Sequence, residues 1–158
     1  RNPMLYKQTI QFALQGGIID LTCGMTGSAI PVPQAVKQAL DAGVPLERLT
    51  LSSDGNGSMP KFNENNELIG LTAAAPRYLY EEMLSIVKAG VLPFDKALQL
   101  ITCNVADALK LEDKGRIAVG KDADLIVWND DLTLNKVFAR GRLMVDEGQA
   151  VVKGTFEN

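Results

Sequence analysis

Residues 46–58 read LERLTLSSDGNGS, an apolar run that leads directly into a polar loop with two glycines. The apolar part, residues 46–52, predicts a buried strand. Upstream of it, the sequence predicts a helix from Pro3, a strand at residues 18–22 and a second helix at residues 35–40. Helices that alternate with short apolar strands are typical of an α/β fold, whose parallel strands are buried on both faces.

Helix patterns dominate the middle of the chain, and strand patterns dominate its end. The polar stretch after residue 52 is expected to continue as a loop to about residue 76, a length typical of functional loops. Three helix patterns follow, and from Leu111 onward glycines separate short β-type runs, which predict a meander. We therefore expect two domains, residues 1–110 and 111–158. The β-type runs lie at residues 116–119, 123–128, 136–140, 143–145 and 150–153.

The composition excludes several classes of protein. The chain has 158 residues and a net charge of −3, which argues against a nucleic-acid partner, and its apolar runs are too short for a membrane span. Two cysteines, Cys23 and Cys103, make no secreted disulfide framework, so we expect inert thiols in a cytoplasmic protein. Because the chain has no histidine, these residues alone can form neither a Ser-His-Asp triad nor a histidine metal site.

The strongest candidate site is the loop SSDGNGS at residues 52–58. It follows a predicted parallel strand, and α/β folds and barrels place their active sites at that end of a strand. The glycines allow a sharp turn, while backbone amides and the Ser58 hydroxyl could bind an anion. Asp54 would point a carboxylate into this loop as a metal ligand or general base. A plain turn between two elements has the same local pattern.

Two other polar features carry weaker signals. Arg1 could clamp a substrate carboxylate, although a lone arginine at a chain end is more often solvated. Asp122 and Asp124 could bind a cation, but they flank a tight turn where nothing else converges, so we expect a structural role. The chain also opens with Arg1 rather than Met and runs straight into a helix pattern, so we expect a piece of a longer protein.

Three stretches carry a resemblance to a known family. They are LTLSSDGNGS at residues 49–58, GRIAVGKDADL at residues 115–125, and an ending with RGRLMV at residues 140–145 and VKGTFE at residues 152–157. With them the whole chain resembles the isoaspartyl (β-aspartyl) dipeptidases of the amidohydrolase superfamily. The GKDADL segment is shared widely across that superfamily, whereas SSDGNGS and VKGTF are closer to the dipeptidases.

The resemblance implies a (β/α)8 barrel flanked by a small β-sandwich that is built from both chain ends. Residues 1–110 would be the last part of the barrel, and residues 111–158 the C-terminal strands of the sandwich. The family hydrolyses dipeptides linked through the aspartate β-carboxyl, by attack of a hydroxide that bridges two zinc ions. Histidines, a carbamylated lysine and one aspartate hold the zinc in such enzymes.

The resemblance also implies roles for three residues. Asp54 matches the aspartate that binds zinc and acts first as general base and then as general acid. Ser58 matches a residue that hydrogen-bonds the substrate, and Arg1 matches an arginine that pairs with a substrate carboxylate. The other metal ligands are absent from this sequence, so the 158 residues alone are expected to be inactive.

Two alternatives remain open beside this identification. One is another amidohydrolase, such as a dihydroorotase-like cyclic amide hydrolase, and the other is a non-catalytic module that lacks the metal site. The expected partners are a β-aspartyl dipeptide substrate, the missing N-terminal part of the same protein and further copies of it. Family members form homo-oligomers, so we expect a homo-oligomer, and we expect neither nucleic acid nor a membrane as partner.

Overall fold

The computed structural model describes residues 1–25, 28–65 and 67–154. The chain divides into two compact units, Arg1–Leu109 and Lys110–Asn158. The first unit mixes helices with strands, so the predicted α/β class is confirmed, while the described part of the second unit consists of strands and turns. Within the described ranges, no helix is long and apolar enough to cross a membrane.

The first unit contains the helices and the two parallel strands that the sequence predicts. The strand expected from Leu46 begins at Leu49, because Leu46–Arg48 forms a 3-10 turn. Thr26 and Gly27, which belong to the loop expected after the first strand, lie outside the described residues. The elements follow in the order α1 (Pro3–Leu14), β1 (Ile19–Thr22), α2 (Val32–Asp41), β2 (Leu49–Ser52), β3 (Ser58–Phe62), β4 (Leu68–Ala73), α3 (Tyr78–Lys88), α4 (Phe94–Gln99) and α5 (Cys103–Ala108).

Strands β1 and β2 form a parallel pair with one apolar face. Ile19 lies opposite Leu49, and Thr22 lies opposite Ser52. Because side chains alternate along a strand, the apolar residues share one face and the polar residues share the other. The apolar face is part of the core of this unit, which also includes buried residues of four helices. These core residues are Ile19, Leu21, Leu49 and Leu51 of the strands, with Ile10, Val36, Met83, Ile86 and Ala97 among those of the helices and Leu100 directly after α4.

Two buried polar side chains hold helices in place in this unit. The Tyr6 hydroxyl on α1 donates to the Ala35 carbonyl on α2 at 2.6 Å. Burial raises the pKa of Tyr6 to about 12, so the hydroxyl keeps its proton at neutral pH. The Asn104 amide on α5 donates to the carbonyls of Leu46 and Leu49, at 2.8 and 2.9 Å. These bonds fix the start of β2, the strand that leads into the candidate loop.

The stretch expected as a loop after β2 contains a β-hairpin, so that prediction is wrong. Strands β3 and β4 pair antiparallel, with Ser58 opposite Ala73 and an irregularity after Lys61. Nearly all of their side chains are exposed, and Met59 is the buried exception. With neither face of the hairpin buried, no alternation of apolar and polar residues marks these strands in the sequence.

The described part of the second unit is a four-stranded antiparallel meander in sequence order. The prediction of a strand at residues 116–119 is wrong, because this segment pairs with no strand and the Ile117 and Val119 side chains are almost fully exposed. Residues 155–157 of the VKGTFE ending lie outside the described residues, and the sandwich remains a prediction. The strands are β5 (Leu125–Trp128), β6 (Leu134–Ala139), β7 (Arg142–Asp146) and β8 (Gln149–Ala150).

Ion pairs and a hydrogen bond hold the GKDADL segment, residues 120–125, in place within the second unit. The Lys114 ammonium lies 2.6 Å from the Asp122 carboxylate and also contacts that of Asp124. The Arg140 backbone N–H donates to Asp124 at 2.7 Å, and its guanidinium lies 3.4 Å from Asp122. Both aspartates are therefore engaged by protein cations, which supports the structural role predicted for them.

We expect replacement of Lys114 by methionine to lower the melting temperature by a few degrees at pH 7. The Lys114 hydrogen bonds hold the pKa values of Asp122 and Asp124 below their ordinary range. A carboxyl whose pKa is lowered by folding stabilises the fold above its ordinary pKa, and that stabilisation is lost as the pH falls through the lowered value. The difference between wild type and variant should therefore shrink below about pH 4.

Thermal unfolding at pH 7 and at pH 3 measures this effect. Lys37→Met is the matched control, because it removes the Lys37–Asp41 ion pair, in which both side chains are more than 60% exposed. Such pairs contribute little to stability. A Lys114→Met variant that melts like wild type at pH 7, or with an undiminished difference at pH 3, would contradict the proposed role of the Lys114 ion pairs.

Candidate active site

The candidate site lies where β1 and β2 end. The strands are parallel and in register up to Thr22 and Ser52, and the Cys23 N–H continues the pairing by donating to the Ser52 carbonyl at 2.7 Å. The carboxyl ends of both strands therefore meet at one edge of the pair. The sequence predicted this edge as the site, and Asp54 follows β2 directly beyond it.

Asp54 occupies a tight turn that presents its side chain to solvent. Its φ is 49° and that of Asn56 is 63°, both in the left-handed region that aspartate and asparagine tolerate better than most residues. The Gly57 N–H donates to the Asp54 carbonyl at 2.8 Å and closes the turn. A Cβ on Gly57 would lie 2.8 Å from that carbonyl oxygen and 2.9 Å from Asp54 Oδ1, so only glycine fits beneath the carboxylate.

The far side of the turn is tied to the chain after the hairpin. The Asn56 N–H donates to the Ala74 carbonyl at 2.9 Å, and the Ala74 N–H donates to the Gly57 carbonyl at 2.8 Å. Ala74 is buried, so this pair of bonds anchors an otherwise exposed loop. Ser58 follows as the first residue of β3 and is exposed. The β3–β4 hairpin, which was not predicted from the sequence, thus fixes the predicted loop at residues 52–58.

Arg1 lies at the same strand edge as Asp54. Its guanidinium donates to the Thr22 carbonyl at 2.6 Å and to the Ile30 carbonyl at 2.7 Å, with a longer contact of 3.4 Å to the Ser28 hydroxyl. These bonds connect the end of β1 to the start of α2. A guanidinium has five N–H donors, so the bonds to the main chain leave donors for an anion. Arg1 therefore ties the end of β1 to Ser28 and Ile30, just before α2, and its role in binding a substrate carboxylate stays a prediction.

A second carboxylate at this edge was not foreseen from the sequence. Asp20 on β1 accepts hydrogen bonds from the hydroxyls of Thr50 and Ser52 on β2. The signal in the sequence is the polar residue at every second position of two otherwise apolar strands: Asp20 and Thr22 on β1, and Thr50 and Ser52 on β2. That alternation marks a polar face where a strand buried on both sides would carry apolar residues.

The cysteine beside this edge, Cys23, is buried, which supports the inert thiol expected from the sequence. Cys23 is fully buried, and burial raises the pKa of its thiol to about 12, with a smaller contribution from the Glu82 carboxylate. At neutral pH the thiol is protonated, and the thiolate is the nucleophilic form. Cys23 is therefore a packing residue.

The residues that the structure describes do not build a metal centre by themselves. In the parts of the chain that the structure describes, no group of three or more His, Cys, Asp or Glu side chains is placed to hold a metal ion. A zinc site takes four ligands in most proteins, and catalytic sites take three from the protein. Asp54 can supply one carboxylate, so a binuclear zinc site does not fit these residues taken alone.

Comparisons with known proteins agree with the family recognised in the sequence. Residues 31–147 match the model of the amidohydrolase family. The crystal structure of a β-aspartyl dipeptidase from Fervidobacterium islandicum AW-1, in complex with β-Asp-Leu, matches 98% of this chain with a TM-score of 0.83 and 31% sequence identity. The resemblance to amidohydrolases, with β-aspartyl dipeptidases as structural neighbours, is thereby confirmed.

Curated relatives carry other names within the same superfamily. Imidazolonepropionase from Anaeromyxobacter sp. (strain K) is 34% identical over 112 residues, 71% of this chain and 22% of its own length. Adenine deaminase 1 from Carboxydothermus hydrogenoformans is 28% identical over 104 residues, 65% of this chain and 17% of its own length. The chain thus spans about a fifth of these relatives, and it covers 40% of the dipeptidase chain.

Proposed function

The chain belongs to the amidohydrolase family, and we propose that it is the C-terminal part of a zinc-dependent β-aspartyl (isoaspartyl) dipeptidase. The observation that carries the proposal is the SSDGNGS loop, whose Asp54 carboxylate is exposed directly beyond a parallel strand. The likeness to the Fervidobacterium dipeptidase over 98% of this chain supports it. Family members typically depend on metal ions, and Asp54 is the carboxylate that this loop can contribute to such a site.

Asp54 is the proposed acid and base of the reaction. As the oxygen of a hydroxide attacks the β-carbonyl carbon of the substrate and forms a C–O bond, the Asp54 carboxylate takes the proton of that hydroxide. As the C–N bond breaks, the same carboxyl returns that proton to the leaving amine nitrogen. One side chain can serve both steps because a carboxylate is a base and becomes an acid once it has taken the proton. The Gly57 N–H bond to the Asp54 carbonyl closes the turn and fixes the main chain from which this side chain projects.

Arg1 and Ser58 are the proposed substrate-binding residues. A β-aspartyl dipeptide carries two carboxylates at neutral pH, and a guanidinium can pair with one of them through its remaining N–H donors. The exposed Ser58 hydroxyl can donate a hydrogen bond to the substrate as the first residue of β3. A homo-oligomer and a cytoplasmic location remain predictions from the sequence.

The assay that tests this function uses the full-length protein that contains this chain. We expect hydrolysis of β-Asp-Leu, with α-Asp-Leu and dihydroorotate as comparison substrates that react far more slowly. A preference for dihydroorotate would favour the cyclic amide hydrolase instead. Absence of hydrolysis of all three compounds by a zinc-loaded, folded preparation would favour the non-catalytic module.

A further inference from the structure

Asp20 joins β1 to β2 on the polar face of the pair. Its Oδ1 accepts a hydrogen bond from the Thr50 hydroxyl at 2.7 Å, and its Oδ2 accepts one from the Ser52 hydroxyl. Thr50 is only 5% exposed, so the bond to Thr50 is partly shielded from water, whereas the bond to Ser52 is exposed. Hydrogen bonds to a carboxylate are stronger than those between neutral groups. The bridge therefore fixes the position of β2 relative to β1 at its last residues.

The position of Ser52 matters because the chain turns sharply just after it. Ser52 is the last residue of β2, and Asp54 follows with a left-handed φ of 49°. The far side of the turn is held by Ala74 through bonds of 2.9 and 2.8 Å. The near side is held by the Asp20 bridge at Ser52. The main chain at Asp54 is thus held on both sides, and Asp20 supplies one of these two anchors.

We propose that Asp20 is a positioning residue for Asp54. The inference rests on the proposed function, in which Asp54 is the acid and base. Asp20 touches the two hydroxyls of β2, and it acts on the reaction through the strand end that they belong to. A displacement of a catalytic group by about 1 Å lowers rates by about 100-fold, so loss of the bridge should slow the chemical step more than substrate binding.

Kinetics of three variants of the full-length enzyme test this role. With β-Asp-Leu as substrate, Asp20→Ala should lower kcat by about 10- to 100-fold and leave KM nearly unchanged. Asp20→Asn should recover most of that loss, because an amide can still accept from one hydroxyl and donate to the other. Asp41→Ala is the matched control, since Asp41 lies on α2 and pairs with the exposed Lys37. A merely structural aspartate would lower the melting temperature without changing kcat per folded site.

Hydrogen exchange separates this proposal from the proposed function. The amide of Gly57, which donates to Asp54, should exchange faster in Asp20→Ala and at the wild-type rate in Asp20→Asn. If Asp20→Ala does not fold, Ser52→Ala removes one hydroxyl of the bridge and should show the same changes in smaller degree. Wild-type kcat or wild-type Gly57 exchange in a folded Asp20→Ala variant, or in Ser52→Ala where Asp20→Ala does not fold, would overturn the positioning role. An inactive wild-type enzyme with the expected exchange would overturn the proposed function alone.

Discussion

Replacement of Asp54 by asparagine in the full-length enzyme should lower kcat for β-Asp-Leu by about 1000-fold. Asparagine keeps the shape of the side chain and tolerates the left-handed φ of 49° at this position. It cannot accept a proton from the attacking oxygen, so the step that opens the reaction loses its base. The melting temperature should stay near that of wild type, because the side chain is exposed.

Steady-state kinetics on purified variants measure this loss. Asp95→Asn provides the matched control, since Asp95 is an exposed aspartate in the first turn of α4. Asp54→Asn activity within tenfold of wild type, in a preparation that melts normally, would remove Asp54 from the acid and base role. The site would then have to be sought outside the SSDGNGS loop.

Replacement of Gly57 by alanine should have the second-largest effect on kcat. The Cβ of Gly57→Ala would lie 2.8 Å from the Asp54 carbonyl oxygen and 2.9 Å from its Oδ1. One of these atoms is backbone, so the turn itself must open to relieve the clash. We expect kcat to fall by about 100-fold as the carboxylate moves, together with a loss of about 1–3 kcal/mol in the free energy of unfolding.

The same loop offers a matched control for Gly57. A Cβ on Gly55 would meet the Ser53 hydroxyl oxygen at 3.2 Å and Pro76 Cγ at 3.3 Å, which are side-chain atoms that can shift slightly. Gly55→Ala should therefore lose much less activity than Gly57→Ala in the same kinetic assay. Equal losses in both variants would mean that the loop tolerates no added volume anywhere. The close approach of Gly57 to Asp54 would then not be the cause of the lost activity.

The helices and parallel strands were predictable because their signals are local. Pro3 and the Asn2 cap begin α1, and the Asn2 side chain accepts from the Met4 N–H at 2.9 Å. Short apolar runs between helices predicted β1 and β2, and the burial of Ile19 and Leu49 bears this out. Burial of one face of an element requires apolar residues at regular spacing, so this pattern can be recognised in the sequence.

The hairpin and the segment at residues 116–119 were mispredicted for opposite reasons. Strands β3 and β4 are exposed on both faces, and they contain Pro60 and Gly70, so neither burial nor propensity marks them. Residues 116–119, RIAV, carry β-type residues, but such residues make a strand only where a neighbouring strand is available to pair with them. In the described structure this segment forms no strand, and Ile117 is exposed.

The sequence pointed to Asp54 as the central residue of the candidate site, but it did not reveal the tertiary contacts that hold the loop around Asp54. Asp54 stands in a run of glycine, serine and asparagine that no packing requirement explains, so the sequence draws attention to it. The bridge from Asp20 to Ser52 joins two separate strands, and the anchor at Ala74 depends on the hairpin. Contacts of this kind follow from strand register and tertiary structure, which a linear pattern does not record.

A crystal structure of the Asp54→Asn full-length enzyme with bound β-Asp-Leu tests the central claim most directly. The distance to measure runs from the side-chain amide at position 54 to the scissile nitrogen of the dipeptide. If Asp54 is the acid and base, the two atoms lie within hydrogen-bond reach, about 3 Å, and the Arg1 guanidinium faces a substrate carboxylate. A scissile nitrogen more than about 6 Å from the side chain at position 54, with another ionisable side chain beside it, would show that Asp54 does not have this role.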